Sequence, residues 1–174
     1  MPFSILKAIS HANSNAQHDI QDAVTDFLTD CNLMFSITKY DRDFHDACCY
    51  EARTKGYPMN IDPYIHVGVV LSTTAYAHLG NKSTRILIAL YTAFLTYLDN
   101  YFQHHMAHLY YFNQRFMLHQ PQNDPILDGL TKLLYELPEH FGQVVSNTMM
   151  ISTLNFMTAL LLEYETRDTL VRKL

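Results

Sequence analysis

Glycine and proline are scarce, at 5 and 6 of 174 residues. Tight turns draw on both for their backbone angles, so the shortage argues against β-sandwiches, barrels and low-complexity linkers. Basic residues are also few: Lys and Arg number 12 against 17 Asp and Glu, a formal net charge of −5. That leaves no surplus for nucleic acid or an anionic membrane, although a local cationic site for phosphate stays open. The 3 cysteines, Cys31, Cys48 and Cys49, are odd in number and two are adjacent. They form neither a disulfide framework nor a zinc pattern, and read as buried thiols of a reducing compartment. The opening MPFSILKAIS is too short and too weakly apolar for a secretory signal. The longest apolar stretches, Ile86 to Leu98 and Met149 to Leu162, are broken by threonines or Asn155. Both fall short of the roughly 18 residues that span a bilayer. The expectation is a cytoplasmic protein with core helices and no membrane span.

What is present is apolar and aromatic. With 48% hydrophobic, 13% aromatic and 17% charged residues, the chain reads as one domain over 1–174, large enough to bury roughly 70% of its unfolded surface. Ile20, Val24, Phe27, Leu28 and Cys31 repeat at helical spacing, on a helix from about Gln17 to Leu33. Asp41 caps a second helix to about Lys55, with Gly56 as its stop. Asp62-Pro63 starts a third, which is expected to reach Gly80 and is apolar on nearly all sides. Ser83 opens a fourth that runs past Phe102. A short helix over Tyr110 to Leu118, a loop HQPQN, a capped helix from Asp124-Pro125 to about Leu137 and a long helix from Pro138 to Glu165 complete the chain. No segment alternates as a strand does. The fold class is all-α, a bundle with two buried central helices, Ser83–Gln103 and Pro138–Glu165.

The segment Leu98-Asp99-Asn100-Tyr101-Phe102-Gln103 carries the most chemistry. A buried helix ends in a carboxylate, an adjacent amide and a second amide one turn on. Asp99 and Gln103 share a face, with Asn100 about 100° around. Oxygen donors there suit a hard cation such as Mg²⁺, which keeps waters and shares substrate phosphates. The same residues also fit a core helix meeting water. Upstream, Leu95 and Thr92 lie on the face of Asp99 and form an apolar wall. Tyr91, Phe94, Tyr97, Phe102 and Phe156 can turn ring faces to a cation or pack in a core.

Four segments together resemble the class I terpene synthases, specifically the fungal trichodiene synthase-like family of sesquiterpene cyclases. They are Leu90-Tyr91-Thr92-Ala93 leading into Leu98-Asp99-Asn100, then Asp124-Pro125-Ile126-Leu127-Asp128, then Ser152-Thr153-Leu154-Asn155-Phe156, and last Leu162-Glu163-Tyr164-Glu165-Thr166-Arg167-Asp168. The likeness runs from about Asp62 onward. It implies a terpenoid synthase type of helical bundle, here partial, around an apolar cavity. The substrate implied is a prenyl diphosphate, most often farnesyl diphosphate, ionised with Mg²⁺ and cyclised to a sesquiterpene. Asp99 would be the main metal ligand and catalytic residue, with Asn100 and Gln103 assisting; Thr92, Leu95 and Phe156 would bind substrate.

The departures are as informative. The family's aspartate-rich motif reads D-N-Y-F-Q here, so one carboxylate remains. Ile151 stands where relatives carry a diphosphate-sensing arginine. No N/D-x-x-x-S/T-x-x-x-E motif is present; Asn155 and Glu163 have its outer spacing, but Ala159 occupies the middle. The Arg-Tyr element is missing too, as though about half of a usual cyclase were absent. The alternative is therefore a catalytically degenerate helical module that binds an apolar ligand or a partner chain. Uncovered apolar helix faces would also suit a homo-oligomer. His104, His105 and His108 include an i,i+4 pair that can chelate a transition metal, but a solvated helix face accounts for them as well.

Overall fold

In the computed structural model, residues 19–20, 22–27, 29–31, 39–101 and 106–171 are described. They fall in two compact units, Met1–Lys39 and Tyr40–Leu174. Within the first, residues 22–27 and 29–30 are helical. Ile20, Val24 and Phe27 of the expected stripe are exposed there, and so is Cys31. This corrects the reading of all three cysteines as buried: among the described residues of this unit no second element covers the stripe. Leu28 and the ends of the expected helix lie outside the described residues.

The second unit is helical throughout its regular elements, with no strand among the described residues. Helix α1, Arg42–Thr54, starts where Asp41 turns extended and its carboxylate accepts from the Phe44 N–H at 2.9 Å. It stops where Gly56 takes φ +69°, a left-handed geometry that glycine adopts without strain. A 3-10 turn, Met59–Ile61, leads into α2, Asp62–Thr74, with proline in its first turn. α2 ends at Thr74 rather than near Gly80. Thr73 and Thr74 turn their hydroxyls back onto the Val69 and Val70 carbonyls, at 2.8 and 2.7 Å, and irregular turns follow.

Helix α3, Lys82–Tyr101, is the inner rod. Asn81, not Ser83, caps it, its Oδ1 accepting from the Ser83 N–H at 2.9 Å. Leu87, Ile88, Ala89, Leu90, Ala93, Phe94, Tyr97 and Leu98 are all buried. Gly68 of α2 packs directly on it: a Cβ at that position would sit 2.0 Å from the Ala89 carbonyl oxygen. Two short helices, α4 (Met106–Leu109) and α5 (Phe112–Met117), precede α6 (Pro125–His140) and α7 (Gln143–Val171).

The second central helix is α6, not α7. Ile126, Leu127, Gly129, Leu130, Leu133, Leu134 and Leu137 of α6 are buried, whereas α7 buries Ser146, Thr153, Met157 and Leu160. Nor does Pro138 open the last helix. It sits in the final turn of α6, where the missing N–H costs one bond and the buried leucines hold the turn. The break falls at Phe141, whose backbone is extended, and at Gly142. α1 is tied to α6 by Lys55, which pairs with Glu136 and, at 3.4 Å, with Glu51. Burial opposes the Lys55 charge, but the hydrogen bond and field of Glu136 outweigh it and raise its pKa above 10.5. This contribution to stability is therefore complete below pH 10.5 and is lost as pH climbs through the folded value.

Gly68→Ala is expected to cost about 3 kcal/mol, because backbone rather than a flexible side chain must move. The change should lower the urea midpoint at constant slope, and an unaltered midpoint would contradict the helix contact. The cysteines give a second check. Cys48 is fully buried, and burial with Cys49 alongside pushes its thiol up to about 12. At about pH 8 a thiol reagent should modify exposed Cys31 rapidly and Cys48 only on unfolding; comparable rates would overturn this placement.

Candidate functional site

The candidate site grows from one stripe of α3. Most of the helix is buried, but Thr92, Leu95 and Thr96 are half-buried, and Asp99 and Asn100 are exposed. These positions recur at helical spacing and form the side of the rod that its neighbours leave uncovered. The polar groups on it are tied inward along a four-residue ladder. Thr92 Oγ1 donates to the Ile88 carbonyl at 2.9 Å, Thr96 Oγ1 to Thr92 at 2.8 Å, and Asn100 Nδ2 to Thr96 at 2.8 Å. Each bond runs from a side chain to a carbonyl one turn back in the same helix. The Asp99 carboxylate makes no hydrogen bond or ion pair among the described residues.

Of the three expected metal donors, Asp99 and Asn100 stand at the exposed end of α3, about 100° apart around the helix; Gln103 lies outside the described residues. No group of three or more His, Cys, Asp or Glu side chains converges on a common point among the described residues. One carboxylate with a neutral oxygen beside it still fits Mg²⁺ as a partial donor set, since that ion is commonly held by one or two carboxylates and completes its shell with water and phosphate oxygens.

The aromatic candidates separate. Phe94 and Tyr97 are consumed by the core, the first edge-on to Tyr57 at 5.2 Å and the second edge-on to Tyr64 at 5.6 Å. Both rings take the core role that the sequence also allowed. Phe156 of α7 is half-buried against the core, and Phe102 lies outside the described residues. Tyr91 has a different task. Thr153 Oγ1 donates to the Met149 carbonyl at 2.8 Å, so its single proton is committed. The 2.8 Å contact with Tyr91 must then have the phenol as donor. Burial raises the Tyr91 pKa. A second clamp holds α5 to α7, where Asn113 Nδ2 donates to the Leu154 carbonyl and to Thr158 Oγ1, both at 3.0 Å.

A groove of about 570 Å³ opens between α4 and the far part of α7, lined by Met106, Ala107, Tyr110, Tyr111, Leu161, Tyr164 and Glu165. None of Thr92, Leu95, Asp99, Asn100 or Phe156 lines it. His108 reaches toward Asp124 at 3.9 Å, while His104 and His105 lie outside the described residues. Ile151 is exposed. Residues 143–166 of α7 form a helix long and apolar enough to cross a membrane by length and composition, 22% of it buried.

An all-helical unit whose inner rod ends in a carboxylate, exposed among the described residues, is compatible with many functions. The comparisons narrow this. An alpha-cuprenene synthase of Coprinopsis cinerea is 32% identical over 98% of this chain and 54% of its own length. A monoterpene synthase of Postia placenta is 31% identical over 69% of this chain and 36% of its own, and a terpene synthase of the same fungus is 32% identical over 64% and 33%. No family model and no solved structure matches. The chain belongs to the class I terpene synthase family, as the fungal relatives and the all-α fold together establish. It spans about half the length of the alpha-cuprenene synthase that it matches, and less of the others.

Tyr91→Phe should destabilise the protein by about 1 kcal/mol, the usual net value of such a bond. A double-mutant cycle with Thr153→Val should return a coupling of similar size. Additive effects would show that the two hydroxyls do not hold α3 to α7.

Proposed function

We propose that this chain supplies one wall and one set of metal donors for the Mg²⁺-dependent ionisation and cyclisation of a prenyl diphosphate, with farnesyl diphosphate as substrate and a sesquiterpene as product. The observation that carries this reading is the placement of Asp99 and Asn100 at the end of the open α3 stripe, in a chain whose relatives bear the names alpha-cuprenene synthase and monoterpene synthase.

Each residue has a role. Asp99, exposed and unpaired among the described residues, is the anionic ligand. Asn100 adds a neutral oxygen held in place by the bond from its amide to Thr96, and Gln103 is the third donor of the set. Mg²⁺, when bound, neutralises charge building on the departing diphosphate. Leu95 and Thr92 form the wall for the prenyl tail. The Thr92 hydroxyl donates to a carbonyl of its own helix, which fixes its orientation on that wall. Phe156 contributes a ring face, and an aromatic quadrupole stabilises nearby positive charge. One carboxylate and two amides hold the ion less firmly than several carboxylates would, so much of the affinity must come from substrate oxygens.

A second reading is a degenerate module that binds an apolar ligand without turnover. It is favoured by the uncharged, exposed Ile151 and by the want of a three-ligand cluster among the described residues. Calorimetry with farnesyl diphosphate, with and without Mg²⁺, separates the two when combined with analysis of volatile products. The proposal expects metal-dependent binding that Asp99→Ala weakens by roughly 10- to 100-fold, and product formation that falls by about 10². Binding indifferent to both Mg²⁺ and Asp99→Ala would refute it and leave the module.

A further inference from the structure

The start of α3 collects positive charge with nothing to balance it. Helix N-termini favour acids, because the aligned peptide dipoles make that end positive. α3 has the reverse: it opens Lys82-Ser83-Thr84-Arg85, and its first turn holds no acid. Lys82 is exposed and Arg85 half-buried, and at i,i+3 they share a face. Both are set against the same side of α1. The Arg85 guanidinium lies over the Phe44 ring at 5.2 Å. One turn on from Phe44, burial and Cys49 push the Cys48 thiol up to about 12, and the Lys82 ammonium is the charge that opposes them.

Neither cation forms an ion pair among the described residues. Of the carboxylates that act on Cys48, Asp41 is turned to the Phe44 N–H as a cap and Glu51 pairs with Lys55. The Arg85 Nε is buried and donates to nothing. Stacking on a ring uses the face of a guanidinium and leaves its N–H edge for oxygen acceptors. A buried charged donor without an acceptor is costly, so Arg85 gains by turning that edge to an anion. The backbone amides nearby are already engaged. Asn81 takes the Ser83 and Thr84 N–H groups on its Oδ1, at 2.9 and 3.3 Å, and the Arg85 N–H on its carbonyl, at 3.2 Å.

We infer that the side chains of Lys82 and Arg85 form a binding site for a phosphate dianion, free or as the head of a small phosphomonoester. Two cations at a positive helix end match a double charge better than the single charge of a carboxylate. A guanidinium edge also matches two oxygens of a tetrahedral group. The overall charge of −5 does not oppose this, since a pair in direct contact outweighs distant, screened charge. Asp99 lies on the same helix, about 21 Å further along at 1.5 Å per residue. The site is therefore separate from the candidate metal end and stands or falls without it.

The test titrates the full chain, without Mg²⁺ and at constant ionic strength, with inorganic phosphate and in a second arm with methyl phosphate. Nuclear magnetic resonance follows the Arg85 Nε–H and the backbone amides of 82–86. Both signals are expected to move saturably, with half-saturation at about 1 mM or below. An equal response to methyl phosphate supports a monoester as ligand, and a response to inorganic phosphate alone supports the free ion. Lys82→Gln, at an exposed position, should weaken binding by about 3- to 10-fold. Arg85→Lys keeps the charge without the fork and should weaken it as much, folding of both being checked by circular dichroism. Lys132→Gln, at an exposed position on α6, should leave binding unchanged. No saturable response up to about 20 mM, or one that Lys132→Gln weakens as much as Lys82→Gln does, overturns the inference. So does a response that disappears in Asp99→Ala, which would move the phosphate to the other end of α3.

Discussion

The close approach of α2 to α3 at Gly68 is the contact on which the rest of this structure depends. A glycine there lets the Ala89 backbone come nearer than any side chain would allow. α2, α6 and the Tyr57 ring then enclose most of α3, with Phe94 packed against Gly129 and Tyr57. The stripe from Thr92 to Asn100 is a part of the rod that the core does not fully cover. The position of the candidate site therefore follows from packing on the opposite side of the helix.

The threonine hydroxyls of that stripe and the Asn100 amide are turned back onto carbonyls of their own helix. These bonds fix the orientation of the polar groups on a stripe that ends at exposed Asp99 and Asn100. α7 is fixed to the same rod by the Tyr91 phenol on Thr153 and to α5 by Asn113. A helix with little apolar burial of its own is thereby held in register by a few directed bonds, and its uncharged outer face stays open.

Much of this was legible in the sequence, because local chemistry dictated it. Asp41 and Asp124 cap helices through their own carboxylates, Pro63 and Pro125 sit in first turns, and Gly56 takes the left-handed turn. The spacing of Leu95 and Thr92 from Asp99, four and seven residues back, placed them on one face. What failed were inferences that needed tertiary information. Pro138 reads as a helix start, yet the buried Leu133, Leu134 and Leu137 carry the helix through it. By contrast, Phe94 and Tyr97 were readable as core rings, and Tyr57 and Tyr64 supply the partners that make them so. The greasy run of α7 suggests a buried rod, but burial needs neighbours, and a hydropathy pattern does not say whether they are there. Thr153 and Asn113 gave no signal because their partners lie far along the chain.

The central claim is that Asp99 marks the metal end of a substrate-facing wall. Paramagnetic relaxation tests it most directly, with Mn²⁺ substituted for Mg²⁺ in the presence of inorganic diphosphate and backbone amides followed by nuclear magnetic resonance. The account expects broadening centred on Asp99 and Asn100, fading along α3 toward Thr92 and absent in Asp99→Ala. Broadening centred on Glu51 and Glu136, or equal broadening in the variant, would contradict it.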